Sequence, residues 1–238
     1  MSQEQPRGTS MGGSAHLPEE SASGGWIRGL AVRVLGRTVY RRLLLLERCA
    51  GPVGNGVPPG AGLEWVSLRP GEAEEYVAVR LEGGAEGWPG TQGWRVDPTV
   101  LVRQRLASGA QCVLVREEGR IVASCWVLRE ATWIGYLGCG VDVGTDGVCL
   151  FDLHTRRDMR SRGIARDLVG GIAGSFRTQD VRRLVAAVWP ENVASLRSLE
   201  GAGFRVGGRI GYVGLGPWRR HFCEGAGFRV RRFNRWVE

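Results

Sequence analysis

The chain has 238 residues, ordinary apolar and charged fractions and a formal net charge of +8, so it can bury a sizeable core in one large or two small domains. No run approaches the ~18 apolar residues of a membrane-spanning helix, and all 32 basic residues are arginine, which excludes a lysine nucleophile or Schiff base. The charge is lopsided: residues 156 to 238 hold 17 arginines against 7 acids, whereas residues 1 to 155 hold 15 against 17, which implies a polyanionic partner for the second half.

Residues 1–25 are rich in Gly, Ser, Glu and Pro and are expected to be disordered. They contain Glu4, Glu19 and Glu20 and no apolar stretch, unlike a secretory signal, so a cytoplasmic location is expected. Ile27, Leu30, Ala31, Val34 and Leu35 recur at helical spacing with Arg33 and Arg37 opposite. This predicts a short basic amphipathic helix, suited to covering a patch of its own domain, or less favourably, through 26–42, to resting on an anionic membrane. A strand over 39–47 follows, and a Gly/Pro loop at 50–61 closes an N-terminal unit, 26–61, set before a main domain of 62–238.

In the main domain Leu63 to Leu68 reads as a strand, 72–82 as a helix with an acidic first turn, and Asp97-Pro98 as the cap and first residue of another helix running to about Ala107. A loop, 83–97, lies between the helices. A hairpin comes next, Gln111 to Arg116 and Ile121 to Leu128, then a glycine-containing segment, 129–147, with an extended piece near Trp133 to Leu137. Val148 to Thr155 is a strand, Arg160-Ser161-Arg162-Gly163-Ile164-Ala165 a basic turn, and Ile164, Leu168, Val169, Ile172 and Phe176 an apolar helix face. A buried strand at 182–188, a helix opened by Pro190-Glu191-Asn192, a strand near 204–215 and a last strand near 227–236 complete the chain. The heptapeptide EGAGFRV occurs at 200–206 and again at 224–230, which chance or a local duplication of a corner explains equally well, and two copies make no solenoid. The cysteines at 49, 112, 125, 139, 149 and 223 form no C-x-x-C pair and read as small buried residues, so no metal site is expected.

The turn 160–165 puts unpaired N–H groups at a helix start, beside one glycine and flanking guanidinium groups, which suits a phosphate ester. With no C2H2 pattern and no aromatic RNP-like strand, a phosphate-bearing cofactor is favoured and a nucleic acid is not expected. The conjunction of DLHT, RRDM and RSRGIA at 152–165 with EN and VASLRSLEGAGF at 191–204 resembles the GCN5-related N-acetyltransferase (GNAT) superfamily over roughly 63–238. The resemblance implies an α/β fold: a mixed, mostly antiparallel central sheet splayed between its fourth and fifth strands, with flanking helices and acetyl-CoA in the gap. Carried over, the backbone of Leu153 and Thr155 would meet the pantetheine arm, the N–H groups of Ser161, Arg162, Gly163, Ile164 and Ala165 the pyrophosphate, with Arg160 and Arg162 adding charge. Asn192 would meet the cofactor or serve simply as a helix cap.

The implied activity is acetyl-CoA-dependent N-acyl transfer, in which a neutral amine attacks the thioester directly, a base removes its proton and a strand N–H holds the oxyanion. Asp152 and then His154, on one face of the strand, are the candidate bases, and either could instead be a satisfied polar group. The family's tyrosine for the leaving thiolate falls here at Leu199, leaving Tyr136 and Tyr212 as substitutes without positional support. The acceptor is an amine of a small molecule or a protein, and a homodimer is compatible with the chain. The rival readings are a catalytically silent CoA-binding or regulatory module and, more remotely, an Arg-rich nucleic-acid-binding protein.

Overall fold

The computed structural model describes residues 38–50, 62–82, 97–135, 137–176, 180–215 and 218–231. The expected tail, the amphipathic helix, the loops at 51–61 and 83–96, and Tyr136 lie outside these. Eleven strands are described: β1 (Thr38–Cys49), β2 (Leu63–Ser67), β3 (Gln111–Glu117), β4 (Arg120–Arg129), β5 (Ala131–Ile134), β6 (Cys139–Asp142), β7 (Gly147–Thr155), β8 (Arg183–Val188), β9 (Arg205–Leu215), β10 (Trp218–Glu224) and β11 (Arg229–Arg231). The described helices are α1 (Ala73–Glu82), α2 (Pro98–Ala107), α3 (Ile164–Ser175) and α4 (Val193–Gly201).

Eight strands form one sheet in the order β10-β9-β1-β8-β7-β4-β3-β2, and β11-β6-β5 form a second. In the large sheet β7 and β8 run parallel, while the β2–β3, β3–β4, β4–β7, β1–β8 and β9–β10 pairs are antiparallel. β3 turns into β4 through Glu118 and Gly119, both at positive φ, the geometry that matches the twist of a tight hairpin. The strand expected at 39–47 is β1, and it enters the large sheet between β9 and β8. The sheet therefore draws on chain from both sides of residues 51–61.

Side chains alternate between two cores, as strand geometry requires. Leu46, Val115, Cys125, Val148, Leu150, Leu184 and Ala186 pack under α3 and α4 against Ile164, Leu168, Ile172 and Leu199. On the other face Cys112, Leu114 and Trp126 pack against Tyr76 and Val102 of α1 and α2. Leu43, Leu45, Cys149, Val185 and Tyr212 pack against Cys139 and Val141 of the small sheet. Cys112, Cys125, Cys139 and Cys149 are buried as expected of small apolar residues, but Cys49 is exposed and Cys223 half-buried, and all six thiols are free.

One feature of the tail departs from the sequence reading, and a second matches one of its two alternatives. Residues 218–224 are a strand in their own right, β10, paired to β9 from Trp218 opposite Leu215 to Glu224 opposite Arg209; its alternation of arginines and aromatics hid it, because neither of its faces reads as apolar. The repeated heptapeptide encodes one corner twice. Gly203 and Gly227 both take positive φ, and each is followed by a buried phenylalanine, Phe204 and Phe228, that leads into β9 or β11. The first copy leaves a helix and the second leaves a strand.

Helix α3 lies close to the sheet because position 171 has no side chain: a Cβ there would sit 1.5 Å from the Trp65 ring. At Gly170 a Cβ would meet nothing within 4 Å. Gly171→Ala is expected to lower stability by about 1–3 kcal/mol through overpacking, whereas Gly170→Ala should raise it by about 0.5–1 kcal/mol through helix propensity. Chemical denaturation of the two variants measures the opposite signs.

Candidate active site where two parallel strands part

Parallel pairing of β7 with β8 spans only Gly147–Leu150 against Arg183–Ala186. On its other side β7 stays paired with β4 as far as Thr155, but with a bulge: Phe151 faces Trp126 and His154 faces Ser124, so Asp152 and Leu153 together oppose Cys125. Asp152 takes φ 51°, a left-handed conformation that Asp tolerates better than most residues. From Phe151 onward β7 has no partner strand on the β8 side among the described residues. This is the expected splay, and it lies between the fourth and fifth strands of the large sheet counted from β2. The backbone groups that would continue the ladder, those of Leu153 and Thr155 included, face the gap. The Thr155 Oγ1 is buried without a hydrogen-bond partner.

The bulge divides the end of β7 between the two faces. Leu153 packs toward the α3 core, whereas Asp152 turns toward α1 and α2. There Arg80 Nη2 donates to Asp152 Oδ1 at 2.6 Å and Arg105 Nη1 to Asp152 Oδ2 at 2.8 Å. The Arg105 guanidinium also lies over the Trp126 and Phe151 rings, 5.2 and 5.4 Å from their centroids. His154 is half-buried, and its pKa is pushed down to about 4 by burial first and then by the charge of Arg80, with Asp152 opposing and Arg160 adding. The imidazole is therefore neutral at physiological pH. Beneath it Trp126 Nε1 donates to the Tyr76 hydroxyl at 3.0 Å, which lies 3.3 Å from Ser124 Oγ. Burial, then the Asp152 charge, raises the Tyr76 pKa, so the phenol stays protonated.

Beyond β7 the chain makes a single 3-10 turn, Arg157–Met159, and reaches α3. Ser161 at φ 64° and Gly163 at φ 77° flank Arg162 with left-handed backbone. Such a turn curves successive N–H groups toward a common side, and the first helical N–H groups, those of Ile164 and Ala165, have no carbonyl one turn earlier to bond. Gly163 is favoured by its φ; a Cβ there would lie 3.2 Å from Arg166 Nη2, the end of an exposed side chain that can move aside. The two flanking arginines differ. Arg160 is exposed, its Nε donating to Thr155 O at 3.3 Å, whereas Arg162 pairs with Glu117 at 2.7 Å and reaches Met159 Sδ.

Asn192 caps α4, its Oδ1 accepting from Ser195 N at 3.1 Å. Leu199 is 2 % exposed in the α3 core, so no donor to a leaving group stands there. Tyr212 is buried in the core beneath the small sheet. The residues that sequence reasoning missed are Arg80, Arg105, Tyr76 and Trp126. Tyr76 and Arg80 sit one helical turn apart on the inner face of α1, a buried Tyr/Arg pair at i, i+4 that gives the only sequence hint of them.

A family model for the acetyltransferase (GNAT) family matches residues 84–204, just over half of the chain. No curated protein matches. Among solved structures, a conserved protein of unknown function from Staphylococcus epidermidis aligns at 10% identity over 89% of this chain and 69% of its own, with a TM-score of 0.50. A GCN5-related N-acetyltransferase from Kribbella flavida aligns at 14% over 74% of this chain and 59% of its own, with a TM-score of 0.44. Aminoglycoside N-acetyltransferase AAC(6')-Iy in complex with CoA aligns at 18% over 63% of this chain and 91% of its own, with a TM-score of 0.47. By the family match, and with the parted strands and helix start described above, the chain belongs to the GNAT acetyltransferase family.

Proposed function

We propose that the protein is an acetyl-CoA-dependent N-acetyltransferase acting on an amine. The observation that carries this reading is the unpaired edge of β7, from Phe151 to Thr155, leading directly into the turn of free N–H groups at α3. An extended amide-containing arm can complete the ladder at Leu153 and Thr155, and the orphaned Thr155 hydroxyl offers it a further polar contact. The N–H groups of residues 161–165 would hold a pyrophosphate, supported by the helix dipole. Arg160 adds an exposed cation, its Nε leaving the Thr155 carbonyl as the arm pairs there, whereas Arg162 would first have to leave Glu117. Asn192 acts in this reading as the α4 cap.

Acetyl-CoA supplies the acyl group as a thioester. The chain's own residues place the amine and take its proton. Asp152, with both oxygens engaged by guanidinium groups, is a positioning residue that fixes the bulge against α1 and α2. His154, neutral and on the same side of β7, accepts the proton directly or through a water molecule. Its weak basicity is matched by the setting: Arg80 and Arg160 disfavour a second cation nearby, so the acceptor enters as the free amine. The departing thiolate needs no strong acid at neutral pH, which accommodates a leucine at position 199. A silent CoA-binding role is the second reading, favoured by that same buried Leu199, and release of CoA dependent on an added amine eliminates it.

Gly163→Glu should weaken acetyl-CoA binding at least tenfold, because a strained anion would occupy the turn, and isothermal titration reads this directly. Asp152→Asn is expected to cost about 3 kcal/mol of stability, since it strands two partly buried guanidinium groups. Arg103→Ala, at an exposed pair with Glu74, should change stability by less than about 1 kcal/mol. Loss of turnover at full stability in Asp152→Asn would instead assign the carboxylate to the chemistry. By NMR the His154 imidazole should stay neutral down to about pH 5, and Arg80→Gln should move its titration upward, because a repelling cation is gone.

A further inference from the structure

Beyond α4, the large sheet presents a strip of aromatic rings and arginines. Leu44 and Leu46 of β1 face the α3 core, so Tyr40 and Arg42 continue on that face. Ile210 and Tyr212 of β9 face the opposite core, so Gly211, Val213 and Leu215 point the same way as Tyr40. Their partners on β10 are Phe222, Arg220 and Trp218. Tyr40 and Phe222 stack across Gly211, with ring centroids 5.8 Å apart and planes 6° from parallel. A Cβ at 211 would lie 2.8 Å from the Phe222 ring, so only glycine lets the two rings meet there. Arg42 lies 5.9 Å from the Tyr40 centroid, and Trp218 is 80 % exposed.

Among the described residues the strip carries more positive than negative charge, Arg42 and Arg220 with Arg41 beside them against Glu191. Among the described residues Arg42 and Arg220 form no ion pair, while Glu224 at the far end is neutralised by Arg209. Past the end of β8 the strip opens into a shallow pocket where Tyr40 and Arg42 are joined by Arg41, Trp189 and Glu191. We propose that this strip binds single-stranded nucleic acid. Flat π-faces alternating with guanidinium groups along a sheet match a polymer in which bases alternate with phosphates. A second copy of the chain would bring the same positive face and be repelled. The RNP-like aromatic strand missing from the linear sequence is assembled here from β1 and β10, at opposite ends of the chain.

The test is fluorescence anisotropy of the full chain with labelled 12-nucleotide RNA and DNA oligomers from 50 to 200 mM salt, with and without saturating CoA. Expected are binding that falls steeply with salt, about a tenfold loss for each of Trp218→Ala and Arg220→Ala, and no competition by CoA. Trp218 and Arg220 are exposed, so circular dichroism and acetyl-CoA affinity should stay unchanged in both variants. No binding at 50 mM salt, wild-type affinity in both variants, displacement by CoA, or strip-dependent binding to phosphatidylserine vesicles in place of the oligomers would each overturn the proposal. None of these results touches the acetyltransferase reading, which depends on β7 and α3.

Discussion

The site depends on one electrostatic clamp. Arg80 from α1 and Arg105 from α2 each hold one oxygen of Asp152, at the residue where β7 bulges with φ 51°. A left-handed residue in a central strand costs on the order of 1–3 kcal/mol and persists only where its surroundings fix it. Two charge-assisted hydrogen bonds, with Asp152 only 14% exposed, supply that constraint. The extra residue bends β7 just where its pairing with β8 stops, at Leu150 opposite Ala186. Bulge, splay and docking of the two helices are thus one structural event.

The same clamp sets the electrostatics of its neighbours. Arg80 helps to depress His154 to about 4, and the Asp152 charge helps to keep Tyr76 protonated. A polar column of Ser124, Tyr76 and Trp126 ties β4 to α1, hydrogen-bonded throughout, so the side of β7 that carries Asp152 and His154 has a rigid neighbour in β4. Rigidity there would serve any chemistry on that face, since a misplacement of about 1 Å can cost roughly 100-fold in rate.

Much of this was legible in the sequence because it rests on local rules. Asp97-Pro98 announces α2 by a cap, and Asp97 Oδ1 does accept from Thr99 N at 2.7 Å. RSRGIA announces a helix start through Gly163, and the apolar run at 183–188 announces a buried strand. What stayed hidden is non-local. Arg105 reads as one more surface arginine on a helix, and only the fold brings it across 47 residues to Asp152. The sequence leaves Asp152 open between a base and a satisfied polar group, because a bulge has no sequence signature and a one-residue shift decides which face it serves. β10 escaped notice because Trp218, Arg220 and Phe222 form no apolar stripe, although they share a face.

The arginine-only composition bears on both surfaces. At Asp152 two guanidinium groups must share one carboxylate within a half-dry pocket, and Arg105 must also lie flat over Trp126 and Phe151. A lysine ammonium can neither stack in this way nor present two coplanar donors, and burial would drive it toward the neutral form. Arg48 shows how far this chain can carry a cation inward: it is buried at 8 % exposure with Nη1 donating to the Ala202 carbonyl at the end of α4. Burial lowers its pKa, but from so high a starting value that the charge survives. The cations carried inward, Arg48, Arg80 and Arg105, all come from the first half of the chain, whereas the second half, with 17 arginines against 7 acids, displays its surplus on the surface at Arg160 and along β10.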